Sequence, residues 1–326
     1  MSINVAALGI GEHARRNALP ALDQCASVNL KGLYSRNHTI VQEQAKKYNC
    51  AVYTGPDDLL NDPKLDVVYI ATPIGLHYEW GYKVLQAGKH LWCEKSLTDS
   101  PSRSRELIEQ AKQRDLCVCE CFMYAHHPLF ESLAHIMRGK DLGKIRRIMA
   151  RFGFPHLDPD NVRYNKALGG GALLDAGCYT LHAASRLTCD KPDFLAACLG
   201  SEAGYDVDTT GSALIVFTSG IHALLEWGFG HAYVNEIEIW GERGRVRAEH
   251  AFSKSPTIAP RLFYLKEDGT EEIRLTPPSN HFVSMFEYFS EAISNKKYKK
   301  SIWKDAERQC NLMEAVLNNS RSVVVP

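Results

Sequence analysis

Three clusters of residues have types and spacing that could do chemistry. The first is Gly9-Ile10-Gly11-Glu12-His13-Ala14, a G-x-G-x-x-A run. It follows an apolar run, Ile3 to Leu8, and opens a stretch with helical spacing. In that setting the first glycine allows a tight turn and the second lets backbone approach a pyrophosphate. The small Ala14 permits close helix–strand packing. A helix N-terminus also favours phosphate charge. The bland alternative is an ordinary turn; the strand–turn–helix context favours a dinucleotide. The next apolar run, Val28 to Tyr34, leads into Ser35-Arg36-Asn37. NAD binders place Asp or Glu there to bond the ribose 2′-hydroxyl. No acid stands there. Arg36 can pair with a 2′-phosphate and Ser35 can donate to it. This favours NADP(H), with NAD(H) second. The alternative is that Arg36 merely begins a solvated helix.

The second cluster is Cys93-Glu94-Lys95-Ser96, at the end of another strand pattern. In a doubly wound sheet the carboxyl ends of strands face the ligand crevice. A lysine there can hydrogen-bond a substrate carbonyl and help protonate the alkoxide that forms when hydride arrives. Glu94 could orient that region or contact the cofactor ribose. Taken alone, a Glu-Lys pair is most often a surface ion pair. The third cluster runs from Gly169-Gly170-Gly171 to His182. Asp175 and Tyr179 are i,i+4, and His182 is i+3 from Tyr179, so all three can line one helix face. A tyrosine hydroxyl is a competent proton donor beside an ammonium group. Taken alone, the pattern fits equally a core tyrosine satisfied by an aspartate.

These residues need elements to hold them. The first third alternates strands (Ile3 to Leu8, Val28 to Tyr34, Asp66 to Ala71, His90 to Cys93, Leu116 to Cys121) with helices. The helical segments are Arg15 to Gln24, Thr39 to Tyr48, Tyr78 to Ala87 and Arg103 to Arg114. This βα repeat predicts a doubly wound parallel sheet. From about Phe122 the pattern changes. Alternating runs at Ile145 to Phe152, Ala213 to Phe217, His222 to Trp227, Glu236 to Trp240, Arg245 to Glu249, Leu262 to Lys266 and Glu271 to Leu275 are separated by short turns. They predict an open, mainly antiparallel sheet. Helices over Gly171 to Leu187, His281 to Ser294 and Trp303 to Asn318 frame it. The expected class is α/β: a Rossmann domain over 1–122 and an α+β substrate and oligomerisation domain over 123–326. The basic run Lys296 to Lys300 reads as a solvated loop.

Length and composition agree. The chain has 326 residues, 45% hydrophobic and 23% charged, and 38 basic residues balance 38 acidic ones. That excludes wholesale disorder and gives no electrostatic support to nucleic-acid or membrane binding. No apolar run approaches the roughly 20 residues that span a bilayer. No basic segment precedes Val5-Ala6-Ala7-Leu8, so no signal peptide is read there and the expected compartment is the cytoplasm. The ten cysteines are expected as buried free thiols; Cys117, Cys119 and Cys121 are spaced too closely for a usual zinc site, and no metal is expected.

Together, Gly9 to Ala14, Ala71-Thr72-Pro73 with His77, Glu94-Lys95 and Gly169 to Tyr179 resemble the glucose–fructose oxidoreductase / inositol dehydrogenase / MocA family over essentially the full length. The resemblance implies that Lys95 is the central catalytic residue. It implies that the loop after Ala71-Thr72 lies on the nicotinamide side of the cofactor, and that Asp175 and Tyr179 line the substrate pocket. Two positions depart from the pattern. Ser96 replaces a usual proline after the lysine, and Ile74 replaces a usual asparagine after Pro73. The segments Phe122 to Pro128, Val162-Arg163-Tyr164, Gly169 to Tyr179 and Gly230-His231-Ala232-Tyr233 look like the NADPH-dependent sugar-nucleotide 3-ketoreductases. That similarity pairs Tyr179 with Lys95 as proton-donor candidate and places Arg163, Tyr164 and Tyr233 at the substrate.

The expected activity is hydride delivery from NADPH to C3 of a nucleotide-linked keto-deoxyhexose. A dehydrogenase of free sugars or dihydrodiols is the second reading, and a dinucleotide-binding regulator without turnover is the third. Retention of both Lys95 and Tyr179 argues against the regulator. An apolar sheet face carrying Leu225, Trp227, Ile237 and Ile239, or their alternates, predicts a homodimer or homotetramer through that sheet.

Overall fold

The computed structural model describes residues 2–325. By contact the chain divides into Met1–Phe122 with Phe282–Glu307, and Met123–His281 with Arg308–Pro326. The first unit runs to Phe122, and residues 282–307 group with it.

The first unit is built on strands β1 (Ile3–Leu8), β2 (Val28–Tyr34), β3 (Ala51–Val52), β4 (Val67–Ile70), β5 (His90–Cys93) and β6 (Val118–Glu120). All neighbours are parallel, in the order β3-β2-β1-β4-β5-β6. That is the doubly wound order, which reverses at β1 and β4 and opens a crevice at their carboxyl ends. Val67, Val68, Tyr69 and Ile70 are all 0% exposed. A sheet covered on both faces needs such an unbroken apolar run. The connecting helices are α1 (Leu19–Gln24), α2 (His38–Lys47), α3 (Pro56–Asn61), α4 (His77–Gln86) and α5 (Pro101–Gln113). Ahead of α1 the backbone widens into a π-helical turn over Ala14–Ala18. Pro20 in the first turn of α1 has no N–H for the carbonyl of Arg16, and the wider turn accommodates it.

In the second unit, α6 (Pro128–Arg138) leads into β7 (Ile145–Phe154), and a π-helical turn over Leu173–Gly177 continues into α7 (Cys178–Thr188). Eight more strands follow: β8 (Pro192–Glu202), β9 (Thr210–Phe217), β10 (His222–Phe229), β11 (Val234–Gly241), β12 (Gly244–Glu249), β13 (Arg261–Lys266), β14 (Glu271–Leu275) and β15 (Ser320–Val325). The sheet order is β14-β13-β12-β11-β7-β10-β9-β8-β15, antiparallel except where β7 meets β10 and β8 meets β15. The sequence reading lacked β8 and β15. Neither alternates cleanly, and β15 is an exposed edge strand with Val324 at 80% exposure.

Helices α8 (His281–Ser294) and α9 (Lys296–Asn318) explain the regrouping of 282–307. Phe286 stacks on Trp92 at 5.4 Å between centroids and meets the edge of Tyr69 at 5.6 Å. Glu287 accepts from Ala26 N–H at 3.0 Å and Ser27 Oγ at 2.9 Å. The amphipathic pattern of α8 tells that one face is covered, not which sheet covers it. The basic run is a second correction: Lys296 to Lys300 form the first turn of α9, and Lys299 is 5% exposed, donating to Asp115 O at 2.8 Å.

Register settles the two faces of the second sheet. Leu225, Trp227, Ile237 and Ile239 are buried, so the alternates form the open face. That face carries Leu224, Trp240 and Phe194, but it is crossed by ion pairs: Glu236 with Arg151 and Arg247, Glu238 with Arg245, and Glu249 with Arg247 and Arg261. The expected apolar face is therefore a mixed one. Seven of the ten cysteines are buried and all are free thiols, while Cys189 is exposed. Among the described residues no helix is long and apolar enough to cross a membrane.

Candidate active site

In the first unit the fingerprint sits between β1 and the helix that follows. Gly9 has φ +87°, and a Cβ there would lie 2.9 Å from the backbone of Ala71 and Thr72. Glycine is thus required by the close approach of the β1 and β4 turns. At Gly11 a Cβ would meet nothing within 4 Å, so no protein atom demands glycine and the space beside it is open. Thr72 Oγ1 and Arg15 Nε are buried without a hydrogen-bond partner. An open cradle with orphaned donors beside a helix start is what a dinucleotide phosphate would satisfy. Glu12 instead makes an exposed pair with Arg16 at 2.6 Å. After β2, Ser35 Oγ lies 3.5 Å from Asn37 N, Asn37 caps α2 through Ile40 N–H, and Arg36 is exposed. The residues present fit a dinucleotide with a 2′-phosphate.

The loop after β5 carries Lys95 and is braced at three points. Glu94, 8% exposed, accepts from Tyr69 Oη at 2.6 Å. Burial first, then the charge of Glu94, pushes the Tyr69 pKa well above its ordinary value, which keeps that hydroxyl a donor. His13 Nε2 lies 3.8 Å from the same carboxylate. His77, 0% exposed, places Nδ1 2.8 Å from Ser96 O and Nε2 2.8 Å from Thr72 O. Both ring nitrogens are engaged by protein, so His77 ties the turn after β4, through Thr72, to the loop of Lys95. Burial lowers its pKa, against the two carbonyl contacts. The third brace is Glu120, whose Oε1 accepts from Leu97 N–H at 2.8 Å. The sequence reading missed it. The signal was present: Glu120 ends β6 as Glu94 follows β5, and the same strand-end rule applies. The Lys95–Ser96 peptide is cis.

In the second unit the helix bearing Asp175 and Tyr179 starts on a strained turn. Gly171 has φ +120°, and a Cβ there would lie 2.4 Å from Asp208 Oδ1. Asp208 accepts from Leu173 N–H at 2.6 Å through its carboxylate and from Ala172 N–H at 2.8 Å through its carbonyl. Burial pushes the Asp208 pKa up to about 6, against those donors. A π turn adds one residue to a helical turn and recurs at functional sites. Asp175, within it, accepts from Arg163 Nε at 2.6 Å, and that charge raises the Arg163 pKa. Tyr179 is 4% exposed, with its hydroxyl 3.5 Å from Met123 Sδ. Its ring contacts Phe152, Tyr124 and Phe252, with centroids at 5.3, 5.7 and 5.7 Å. Tyr124 Oη is 2.7 Å from His182 Nδ1. The expected row of Asp175, Tyr179 and His182 is thus tied to Arg163 and Tyr124. Tyr164 Oη accepts from Leu157 N–H at 3.1 Å, and the ring stacks on Tyr205 at 4.6 Å. Tyr233 is 56% exposed and accepts from Asn235 Nδ2 at 2.9 Å.

Known proteins share this fold. Residues 3–122 match the oxidoreductase family with an NAD-binding Rossmann fold, and residues 130–247 match the GFO/IDH/MocA C-terminal domain. The chain is 31% identical over 324 residues to a dTDP-3,4-didehydro-2,6-dideoxy-alpha-D-glucose 3-reductase of Actinomadura kijaniata, covering 99% of this chain and 97% of that one. It is 28% identical over 311 residues to a D-xylose 1-dehydrogenase (NADP(+)) of Haloferax volcanii, covering 95% and 94%. Among solved structures, KijD10, a 3-ketoreductase from Actinomadura kijaniata in complex with NADP and TDP-benzene, superposes with a TM-score of 0.95 at 31% identity over 100% of both chains. With both halves matched and the fold shared end to end, the chain belongs to the GFO/IDH/MocA oxidoreductase family.

Proposed function

We propose that this enzyme is an NADPH-dependent ketoreductase that reduces C3 of a nucleotide-linked keto-deoxyhexose. The full-length likeness to a dTDP-sugar 3-reductase carries this reading. Gly9, Gly11, His13, Ala14, the Ala71-Thr72-Pro73 turn and Glu94 form the dinucleotide site, with Ser35 and Arg36 on the 2′-phosphate. When bound, NADPH supplies the hydride. Lys95 hydrogen-bonds the substrate carbonyl and offsets the charge that develops on its oxygen. Tyr179 delivers the proton as general acid. Arg163, Tyr164, Asp175 and Tyr233 bind the rest of the substrate. The enzyme works in the cytoplasm as a homodimer or homotetramer joined through the open sheet face.

Turnover decides. Oxidation of NADPH by a dTDP-linked 3-keto sugar is the expected result. A free-sugar dehydrogenase is the second reading, favoured by the D-xylose dehydrogenase likeness. It predicts reduction of NADP⁺ by D-xylose instead. A thermal shift with NADPH but no turnover on a panel of keto sugars would indicate a regulator.

A further inference from the structure

Lys95 needs a fixed position and a defined charge environment, and one carboxyl group bears on both. Glu120 ends β6, directly opposite Cys93 at the end of β5. Its Oε1 accepts from Leu97 N–H at 2.8 Å, two residues past Lys95. The bond pins the segment in which the lysine sits to the neighbouring strand end. We propose that Glu120 is a positioning residue for Lys95, holding its loop through Leu97 and setting the negative charge that the ammonium meets. The inference rests on Lys95 being catalytic.

The groups around Glu120 come from each packed element. Lys95 follows β5 and Cys93 lies on it, Cys121 is the next residue after Glu120, and Asp305 approaches from α9. Burial pushes the Glu120 pKa up to about 8; the Leu97 N–H and Lys95 oppose this, and Asp305 adds to it. Below that pH the carboxyl group is neutral and its bond to Leu97 is an ordinary one. Above it the carboxylate makes a charge-assisted bond and adds a negative charge beside Lys95. The bond to Leu97 is therefore strongest, and Lys95 meets the most negative charge, on the alkaline side, although ionising the buried carboxyl group costs the fold stability.

Glu120→Gln separates this role from simple bracing. Glutamine keeps an acceptor oxygen for Leu97 but cannot ionise. The measurement is kcat/KM for NADPH-dependent ketone reduction from pH 6 to 9.5, on wild type, Glu120→Gln and Lys95→Ala. At pH 6, where both side chains are neutral, the variant should stay within about threefold of wild type, and by pH 9.5 it should trail by about tenfold, the equivalent of one pKa unit. A ratio that does not change with pH, or no difference at all, overturns the proposal, because a purely structural brace gives a constant loss. Near-wild-type activity in Lys95→Ala would overturn the parent reading instead. A second measurement needs neither substrate nor a folded variant. The Leu97 amide resonance of the wild-type protein should titrate with an inflection close to pH 8, and a flat response across that range also overturns the proposal.

Discussion

In the proposed mechanism Lys95 holds the carbonyl oxygen and Tyr179 protonates it, so each substitution removes a different part of the transition state. Tyr179→Phe and Lys95→Ala should each slow ketone reduction by a factor on the order of 10²–10⁴, the usual range for general acid catalysis. NADPH affinity should survive Tyr179→Phe, which fluorescence titration checks. Lys95→Ala should be at least as damaging, since its charge also steadies the alkoxide. If Tyr179→Phe alone kept its rate, the tyrosine would revert to lining the pocket. The proposed contact of Arg36 with the 2′-phosphate makes it the residue on which the cofactor choice depends. Arg36→Ala should weaken NADPH binding by about 1.5–3 kcal/mol, the range for hydrogen bonds to a charged group, and leave NADH almost unchanged. Equal wild-type affinity for the two cofactors would contradict this.

At the scale of elements, the π turn before α7 is held against the sheet by close packing. A Cβ on Gly177 would lie 2.7–3.0 Å from the ring of Trp227 on β10. Gly177→Ala should destabilise the fold by roughly 1–3 kcal/mol through overpacking, measured by urea titration. A stability equal to wild type would show that Trp227 can move aside. The sequence exposed this helix but not its π turn, because one extra residue in a turn leaves no mark in side-chain periodicity. Likewise the strand ends bearing Gly9 and Lys95 were legible, since local spacing fixes them. The strand-end position of Glu120 was legible too, but the bonds of Glu120 to Leu97 and of His77 to Ser96 were not, because their partners are distant in sequence. Strand β8 failed to register for want of alternation. Helix α8 showed an apolar face without naming its partner, and Phe286 on Trp92 supplies the answer.

Across the whole molecule, stability should depend on pH partly through Glu120. Its folded pKa of about 8 lies above the ordinary value of 4.5. Between those values the unfolded chain is ionised while the folded one holds a proton. The group therefore stabilises the fold most at low pH, and that contribution declines as pH rises toward 8. Glu120→Gln cannot lose it, so the variant should gain on wild type by up to about 1.4 kcal/mol per pH unit between pH 5 and 8. Thermal unfolding at the two pH values checks this, and an unchanged difference contradicts it. If the proposed oligomer forms through the open sheet face, Trp240 and Leu224 are its apolar contacts and the ion pairs its polar ones, and light scattering at micromolar concentration should give a dimer or tetramer mass. A monomer mass would remove the sheet as the interface. The central claim is hydride transfer to C3 of a nucleotide-linked sugar, and isotope transfer tests it most directly. The enzyme is mixed with NADPH deuterated on the transferred hydrogen and a dTDP-linked 3-keto-2,6-dideoxyhexose, and the sugar product is examined by mass spectrometry and NMR. One deuterium at C3 for each NADPH consumed is the predicted result. NADPH left intact, or deuterium at any other carbon, would contradict it.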